Sequence, residues 1–410
     1  MSENQNEPRE YDVVRGGQNS IPVNAAVLGG IPGVKSRLAS PIIEVRIAAL
    51  SEALKYGEAG LDVIIQALHD ESMQVKFAAY SLLKDRDDLK IKPQFHDYLP
   101  KIEFDVITVD VEGKENSRRK SFAHYFPEDL GDGVVLDMVY IPSGTFMMGS
   151  PETEKGRYKS ESPQHQVTIP AFYVGKYPIT QAQYEAVMGN NSSDFMGKKL
   201  PVEIIVSWDW DIEFCRKLFE KTGKIYRLLS ESEWEYACRG GTATPFYFGE
   251  TITTDLVNYN GNFPFGAAPT GLSRGKTMDV GSFPPNAFGL YDMHGQVWEC
   301  CSDNWHGNYS LSQKDEVCRG MLQPLQYQAF LGKMGTSLLR ERLYDGAPTD
   351  GSSWESERNY FRVLRGGSWD YNAVDCRAAL RYDNSADYLI RKSGFRVAVA
   401  LAVPSSLSSL

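Results

Sequence analysis

The sequence lacks any run of about 18 consecutive apolar residues, so no transmembrane helix is expected. Its opening, MSENQNEPREYDVV, has no apolar core of signal-peptide length. No basic arm or cluster interrupts a chain with 43 Lys and Arg against 53 Asp and Glu. At a net charge of −10, a large nucleic-acid footprint is excluded. The six cysteines are scattered rather than set in a disulfide framework, which fits reduced thiols and a cytoplasmic location. The six histidines form no H-x3-H pair on a helix face. No H-E-x-x-H, G-x-S-x-G, G-x-G-x-x-G after a strand, or P-loop occurs. Nothing in these absences compels an enzyme.

A chain of 410 residues exceeds one ordinary core and implies two or three domains. With 36 Gly, 22 Tyr and 7 Trp, the composition favours a compact, loop-rich domain over a helical bundle. Residues 1–21 are polar and expected to be flexible. Residues 22–90 read as helical: Ile43, Ile47, Leu50 and Leu54 share one face, as do Leu61, Ile64, Ile65 and Leu68. The stretch from Val45 to Leu50 is echoed thirty residues on, from Val75 to Tyr80, which resembles HEAT-type repeats. So small a unit is expected to dock on a protein partner or on the rest of the chain. Residues 91–132, with Pro93, Pro100 and a charged run from Glu112 to Lys120, read as a linker.

From residue 133 to 403 short β-type segments alternate with Gly, Pro and Asn turns. Three helices are expected. One spans Thr180 to Met188 with Thr180 as N-cap. A second spans Ser207 to Thr222 with Trp208, Ile212, Cys215 and Leu218 on one face. The third starts at Ser230, with Glu233 completing a capping box. An insertion at 312–343 is rich in Leu and Met. It either covers a core edge or forms an oligomer contact.

The motifs MVYIPSGTFMMGS, FYVGKYPITQAQYEAVMG, LSESEWEYACRGG, PNAFGLYDMHGQVWE and RVLRGGSW with GFRVA occur in that order. Together they resemble the formylglycine-generating-enzyme (sulfatase-modifying factor) family. The resemblance implies an α+β, C-type-lectin-like domain with little regular secondary structure, preceded here by the small all-α repeat-like domain. Enzymes of that family oxidise a substrate cysteine through a C-x4-C pair placed after the GGS motif. Two soft thiolates are what captures copper(I). In this chain the matching positions are Tyr371 and Cys376, so the first thiol is missing and no copper is expected. The resemblance also implies a structural calcium loop, with Asp292, Gly295, Val297 and Glu299 as oxygen ligands, side chains from the acids and carbonyls from the other two. The competing reading of that loop is a capped turn in which Glu299 pairs with an arginine.

Residues Asp370 to Arg391, DYNAVDCRAALRYDNSADYLIR, contain no Lys, Glu, Gln, Met or Trp. Every residue there is reachable from an AAC codon by changing its two adenines. This pattern resembles the variable proteins of diversity-generating retroelements, which place mutagenised codons after R-G-G-S-W and close with G-F-R, here Gly394-Phe395-Arg396. The resemblance implies a binding surface within 370–393. Asp370, Tyr371, Asn372, Val374, Asp375, Leu380, Tyr382, Asp383, Asn384, Ser385, Tyr388, Leu389 and Ile390 would face a protein or other macromolecular ligand. Cys376, Arg377, Arg381 and Arg391 would hold the scaffold. Tyr gives rigid contact area, and Asn, Ser and Asp give adaptable hydrogen bonds. The expected function is therefore non-catalytic ligand binding. A copper oxidase acting on cysteine-containing peptides is the alternative.

Overall fold

The computed structural model of the chain describes residues 29–83, 100–203, 208–309, 346–356, 361–385 and 392–400. The insertion at 312–343 and the segment 1–21 lie outside these. The chain divides into two compact units, residues 1–100 with 402–410, and residues 101–401.

The described part of the first unit is four short helices, α1 (Gly30–Leu38), α2 (Ile43–Ala53), α3 (Gly57–Ala67) and α4 (Met73–Leu83). In α2 the buried positions are Arg46, Ala49, Leu50 and Ala53, a helical i, i+3, i+4, i+7 stripe. Ile43, Ile47 and Leu54 of the expected face are only half-buried. The difference comes from close helix packing at small residues. A Cβ on Gly60 of α3 would lie 1.8 Å from the Ala53 carbonyl oxygen, so α2 and α3 touch backbone to backbone. The echoed alanines Ala49 and Ala79 are both buried. Arg46 is buried as well, and its guanidinium donates to Asp70 at 2.8 Å.

The second unit begins where a linker is expected. Residues 101–109 form β1 (Lys101–Val109), paired antiparallel with β2 (Glu115–Asp129). Phe104 and Val106 follow the period-two pattern of a half-buried strand, the register shifts before Val109, and all three sit in the domain core with Ala123 of β2. The charged run is exposed, as its composition requires, but its backbone is ordered. Asp110 Oδ1 accepts from the Glu112 and Lys114 amides at 2.9 and 3.0 Å and closes the hairpin turn. The linker reading of 91–132 is thus corrected for residues 101–129.

The hairpin continues into a six-stranded sheet of order β1-β2-β3-β6-β12-β7. The new strands are β3 (Val135–Ile141), β6 (Phe172–Gly175), β7 (Arg227–Leu228) and β12 (Val397–Ala400). A two-stranded ribbon joins β4 (Gly144–Met148) to β5 (His165–Ile169). The three expected helices are present as α5 (Gln181–Met188), α6 (Trp208–Thr222) and α7 (Glu231–Arg239). Thr180 and Ser230 cap α5 and α7, each in a capping box with the residue three positions on. On α6 the buried stripe is Asp211, Phe214, Cys215 and Leu218, and Ile212 faces solvent.

Between α7 and β8 (Trp298–Asn304) the chain runs 58 residues without a helix or strand. Side chains do the work that a backbone ladder does elsewhere. Asn286, fully buried, donates to the Ala237 and Cys238 carbonyls and accepts from the Phe288 and Leu290 amides. His294 donates from Nδ1 to the Cys376 carbonyl at 2.7 Å and accepts the Tyr247 amide on Nε2 at 3.1 Å. Burial holds this imidazole neutral, its pKa lowered to about 3.

A four-stranded sheet carries the segment after the GGSW motif. Its order is β10 (Tyr382–Ser385), β9 (Phe361–Arg365), β8 and β11 (Ser393–Phe395). The register aligns Tyr382 with Leu364, Leu364 with Cys300, and Cys300 with Phe395. Directly paired residues share a sheet face, so one row runs from an exposed tyrosine at the edge to a buried phenylalanine.

Candidate ligand-binding site

The site is built from the Gly366-Gly367 turn outward. Both glycines have positive φ, 92° and 77°, and a Cβ on Gly367 would sit 2.6 Å from Cys376 Sγ. The turn brings Ser368 to Cys376 back across the loop 258–263. Asn260 N donates to the Tyr371 carbonyl at 2.8 Å, and Ala373 N to that of Phe263 at 3.2 Å. Phe263, 56% exposed, is therefore fixed at the rim of the segment.

Tyr371 and Tyr382 meet over Trp298 of β8. The Trp298 ring stacks on Tyr382 at 5.1 Å and 24° and meets Tyr371 edge-on at 5.1 Å. The two tyrosines are 6.0 Å apart. Trp298 is buried; Tyr382 is 41% exposed and Tyr371 half-buried. Partial burial next to the Tyr382 ring raises the Tyr371 hydroxyl to about 12, so it serves as a neutral donor and acceptor at physiological pH. Beside this cluster Asp370 forms an ion pair with Lys392, whose ammonium lies 5.0 Å above the Trp369 ring. Asp383, Asn384 and Ser385 follow Tyr382 on the edge strand, half-buried. Burial raises the Asp383 carboxyl.

Not every expected surface residue is on the surface. Leu380 is 2% exposed and belongs to the interior, because Leu380 N bonds back to the Arg377 carbonyl and turns the side chain inward. Val374 packs against the core beside Gly156. Asn372 and Asp375 are half-buried and close a capping box around a single 3-10 turn, Ala373–Cys376. Tyr388, Leu389 and Ile390 lie outside the described residues. The structure thus brings Asp370, Tyr371 and Tyr382 to Ser385 together, and adds Trp298 and Phe263, which no sequence signal near 370–393 announced.

Beneath this surface the intervening residues are scaffold. Arg377 and Arg381 are buried and fully engaged. Arg377 binds Glu161 through two nitrogens at 2.6 and 2.9 Å, Glu154 at 2.6 Å, and the Gly156 and Val374 carbonyls. Arg381 grips both oxygens of Glu231 at 2.6 and 2.8 Å and donates to the Ser160 and His306 carbonyls. Cys376 is fully buried, its Sγ 3.6 Å from the Asn372 carbonyl, and burial pushes its thiol pKa up.

The calcium positions divide. Asp292, held at φ 57°, accepts the Gly281 amide on Oδ2 at 2.7 Å, while its buried Oδ1 has no hydrogen-bond partner. Burial raises this carboxyl to about 6. An unsatisfied buried oxygen fits a cation ligand. Glu299 is differently placed: both its oxygens accept from Arg396 Nε at 2.9 Å, and Oε2 also from Trp234 Nε1 at 2.9 Å. The arginine pairing weighed for Glu299 is present. Gly295 has positive φ and donates its amide to the Gly366 carbonyl, and Val297 is buried. Gln296 ties the loop down by accepting from Asn258 Nδ2 and the Met278 amide.

A profile described as "Sulfatase-modifying factor enzyme 1-like domain" matches residues 130–401, two thirds of the chain. The chain belongs to this family. Formylglycine-generating enzyme of Mus musculus is 26% identical over 322 residues, covering 64% of the chain and 74% of that protein. Among solved structures, PvdO from Pseudomonas aeruginosa matches with a TM-score of 0.51 at 29% identity, covering 67% of the chain and 97% of PvdO. Treponema denticola variable protein 1 matches with a TM-score of 0.50 at 25% identity, covering 67% of the chain and 99% of that protein. The fold of this sulfatase-modifying-factor-type domain is C-type-lectin-like, and its structural neighbours include a variable protein.

The burial contrast within the displayed segment is directly measurable. Leu380→Ala is expected to destabilise the family domain by about 2–5 kcal/mol, as a core deletion does. Tyr382→Ala, at an exposed edge, is expected to cost less than about 1 kcal/mol. Denaturant unfolding of the two variants checks the pair.

Proposed function

We propose that this chain is a non-catalytic binding protein that displays a diversified surface on a C-type-lectin-like scaffold. It resembles in this the variable proteins of diversity-generating retroelements. The observation that carries the reading is the two-layer arrangement after the GGSW motif. Tyr382 is exposed and Tyr371 and the Asp383–Ser385 edge are half-buried, while the interleaved Cys376, Arg377 and Arg381 are buried, both arginines with every nitrogen bonded. Outward positions of that kind can change without touching the core. Broad aromatic faces beside short polar side chains suit a protein or other macromolecular ligand better than a small molecule in a deep cleft.

The alternative, a copper oxidase acting on cysteine-containing peptides, draws on the likeness to formylglycine-generating enzyme. The geometry favours it less. At the position where a first thiol would stand, Tyr371 packs into the aromatic cluster, and Cys376 points into the interior. Cys215, Cys238, Cys300, Cys301 and Cys376 form no disulfide among the described residues, which supports a reducing, cytoplasmic setting. Among the described residues no helix is long and apolar enough to cross a membrane. The helical unit is read as a docking module for a protein partner, and no nucleic-acid role is assigned.

Calcium at Asp292, with the Gly295 and Val297 carbonyls and Glu299 shared with Arg396, is a further part of this reading; it would brace the loop beneath Trp298. Saturating calcium is expected to raise the melting temperature relative to EGTA, by the equivalent of about 2.7 kcal/mol at a hundredfold excess over Kd. The gain should disappear in Asp292→Ala. Coincident melting curves for the wild type would contradict it.

The binding reading is tested at the gene. Deep sequencing of its 3′ end across a natural population should show substitutions concentrated at codons 370–393, above all at the outward positions. The codons for Arg377 and Arg381 should stay fixed. Substitutions spread evenly along the gene would overturn the proposal.

A further inference from the structure

The stripe that α6 buries contains a carboxyl group. Asp211 is completely inaccessible, and neither of its oxygens has a hydrogen-bond partner within normal geometry. A buried, unpaired carboxylate is costly enough that such a group ordinarily keeps its proton. What packs around it is consistent with a neutral acid. The Cys300 thiol of β8 is a polar neighbour, close enough to couple to the carboxyl but outside hydrogen-bond geometry. Cys215 lies one turn further along α6, its own thiol raised by burial and by Asp211. Tyr184 of α5 stacks on Phe214 of α6, its phenol also raised, chiefly by burial and then by Asp211. Arg227 of β7, the cation coupled to Cys215, is committed to Glu233 through two nitrogens at 2.6 and 2.7 Å, and Arg362 of β9 is coupled to Asp209 of the same helix turn as Asp211. Of the other acids of this helix turn, Asp209 is exposed and Glu213 is half-buried and paired with Arg216.

The position is strategic. Cys300 sits in the row Tyr382–Leu364–Cys300–Phe395 and lies two residues from Trp298, on the same face of β8. Phe214, one turn beyond Asp211, packs edge-on against Phe395 at 5.1 Å and stacks on Tyr184 at 5.6 Å. The helix turn bearing Asp211 therefore closes the face of the sheet whose open edge displays Tyr382.

We infer that Asp211 is a proton-dependent latch: as a neutral carboxylic acid against the Cys300 thiol it seals α6 onto β8, and its ionisation loosens that contact beneath the displayed surface. The folded carboxyl is raised well above the ordinary value of 3.8 by burial, so the native state holds a proton that the unfolded state releases. Its contribution is consequently lost as pH climbs from the unfolded value toward the folded one, at up to tenfold in the folding constant per pH unit.

The test is the unfolding equilibrium of the full chain from pH 5 to pH 9 for the wild type and Asp211→Asn, which keeps the shape without the charge. The ratio of the two folding constants should move in favour of Asp211→Asn by at least tenfold across that range. Amide exchange in α6 and β8 should accelerate with pH, after correction for intrinsic rates, in the wild type alone. Asp211→Ser, smaller and also uncharged, gives the same readout if the asparagine variant does not fold. A pH-independent ratio, or equal exchange in wild type and variant, overturns the inference.

Discussion

Buried guanidinium–carboxylate pairing is the constraint on which the family domain depends. Arg365, fully buried, donates to Glu231 at 2.9 Å, to Glu235 at 2.6 Å and to the Ala378 carbonyl at 2.6 Å. Glu235 also holds Arg239, and Glu231 also holds Arg381, so α7, β9 and the segment after the GGSW motif share one network. Burial alone would raise the Glu235 carboxyl; Arg239, Arg365 and the Gly149 amide outweigh it and hold the group below its usual range. Such pairs repay their desolvation only when the remaining donors and acceptors are satisfied, and here backbone carbonyls take most of the spare N–H groups. Removing one partner strands a charge in the interior, which makes the network a condition of folding rather than an ornament on it.

This explains how a domain with a 58-residue stretch free of helix and strand keeps a defined shape. Arg396 ties Glu299 to the Gly175, Lys176 and Tyr291 carbonyls, while Arg377 ties Glu154 and Glu161 to the turn at Ala373–Cys376. The arginines fix the inner layer, and the displayed residues above it are held by fewer contacts, chiefly the Trp298 ring and the Asp370–Lys392 pair. Tyr382 is exposed at the sheet edge, and Tyr371 is half-buried against Trp298. Cys376, the one cysteine at the two matching positions, belongs to the inner layer.

Much of this was legible in the chain itself. The five ordered motifs carry the family and the fold, and the capping residues Thr180 and Ser230 mark two helix starts. The scaffold role of Cys376, Arg377 and Arg381 followed from the resemblance, and the geometry agrees. What escaped has physical reasons. Residues 101–129 look like a linker because β2 is long and its first half is charged; only its pairing with β1 shows that such a strand is ordered. Leu380 belongs to the same codon pattern as Tyr382, and codon reach says nothing about which way a side chain turns. On α6, hydropathy points to Ile212 and overlooks Asp211, since a buried acid violates the rule that periodicity relies on. Trp298 was read as part of a family motif, and its place under both tyrosines depends on contacts with residues 73 and 84 positions away in sequence, Tyr371 and Tyr382.

The central claim is that this scaffold binds and does not oxidise. Anaerobic copper(I) titration of the reduced full-length chain, with the thiols counted in parallel, addresses it most directly. The account predicts no tight stoichiometric binding, and the same titration curve for the wild type and Cys376→Ala. One equivalent of tightly bound copper that disappears in Cys376→Ala would contradict it and restore the enzyme.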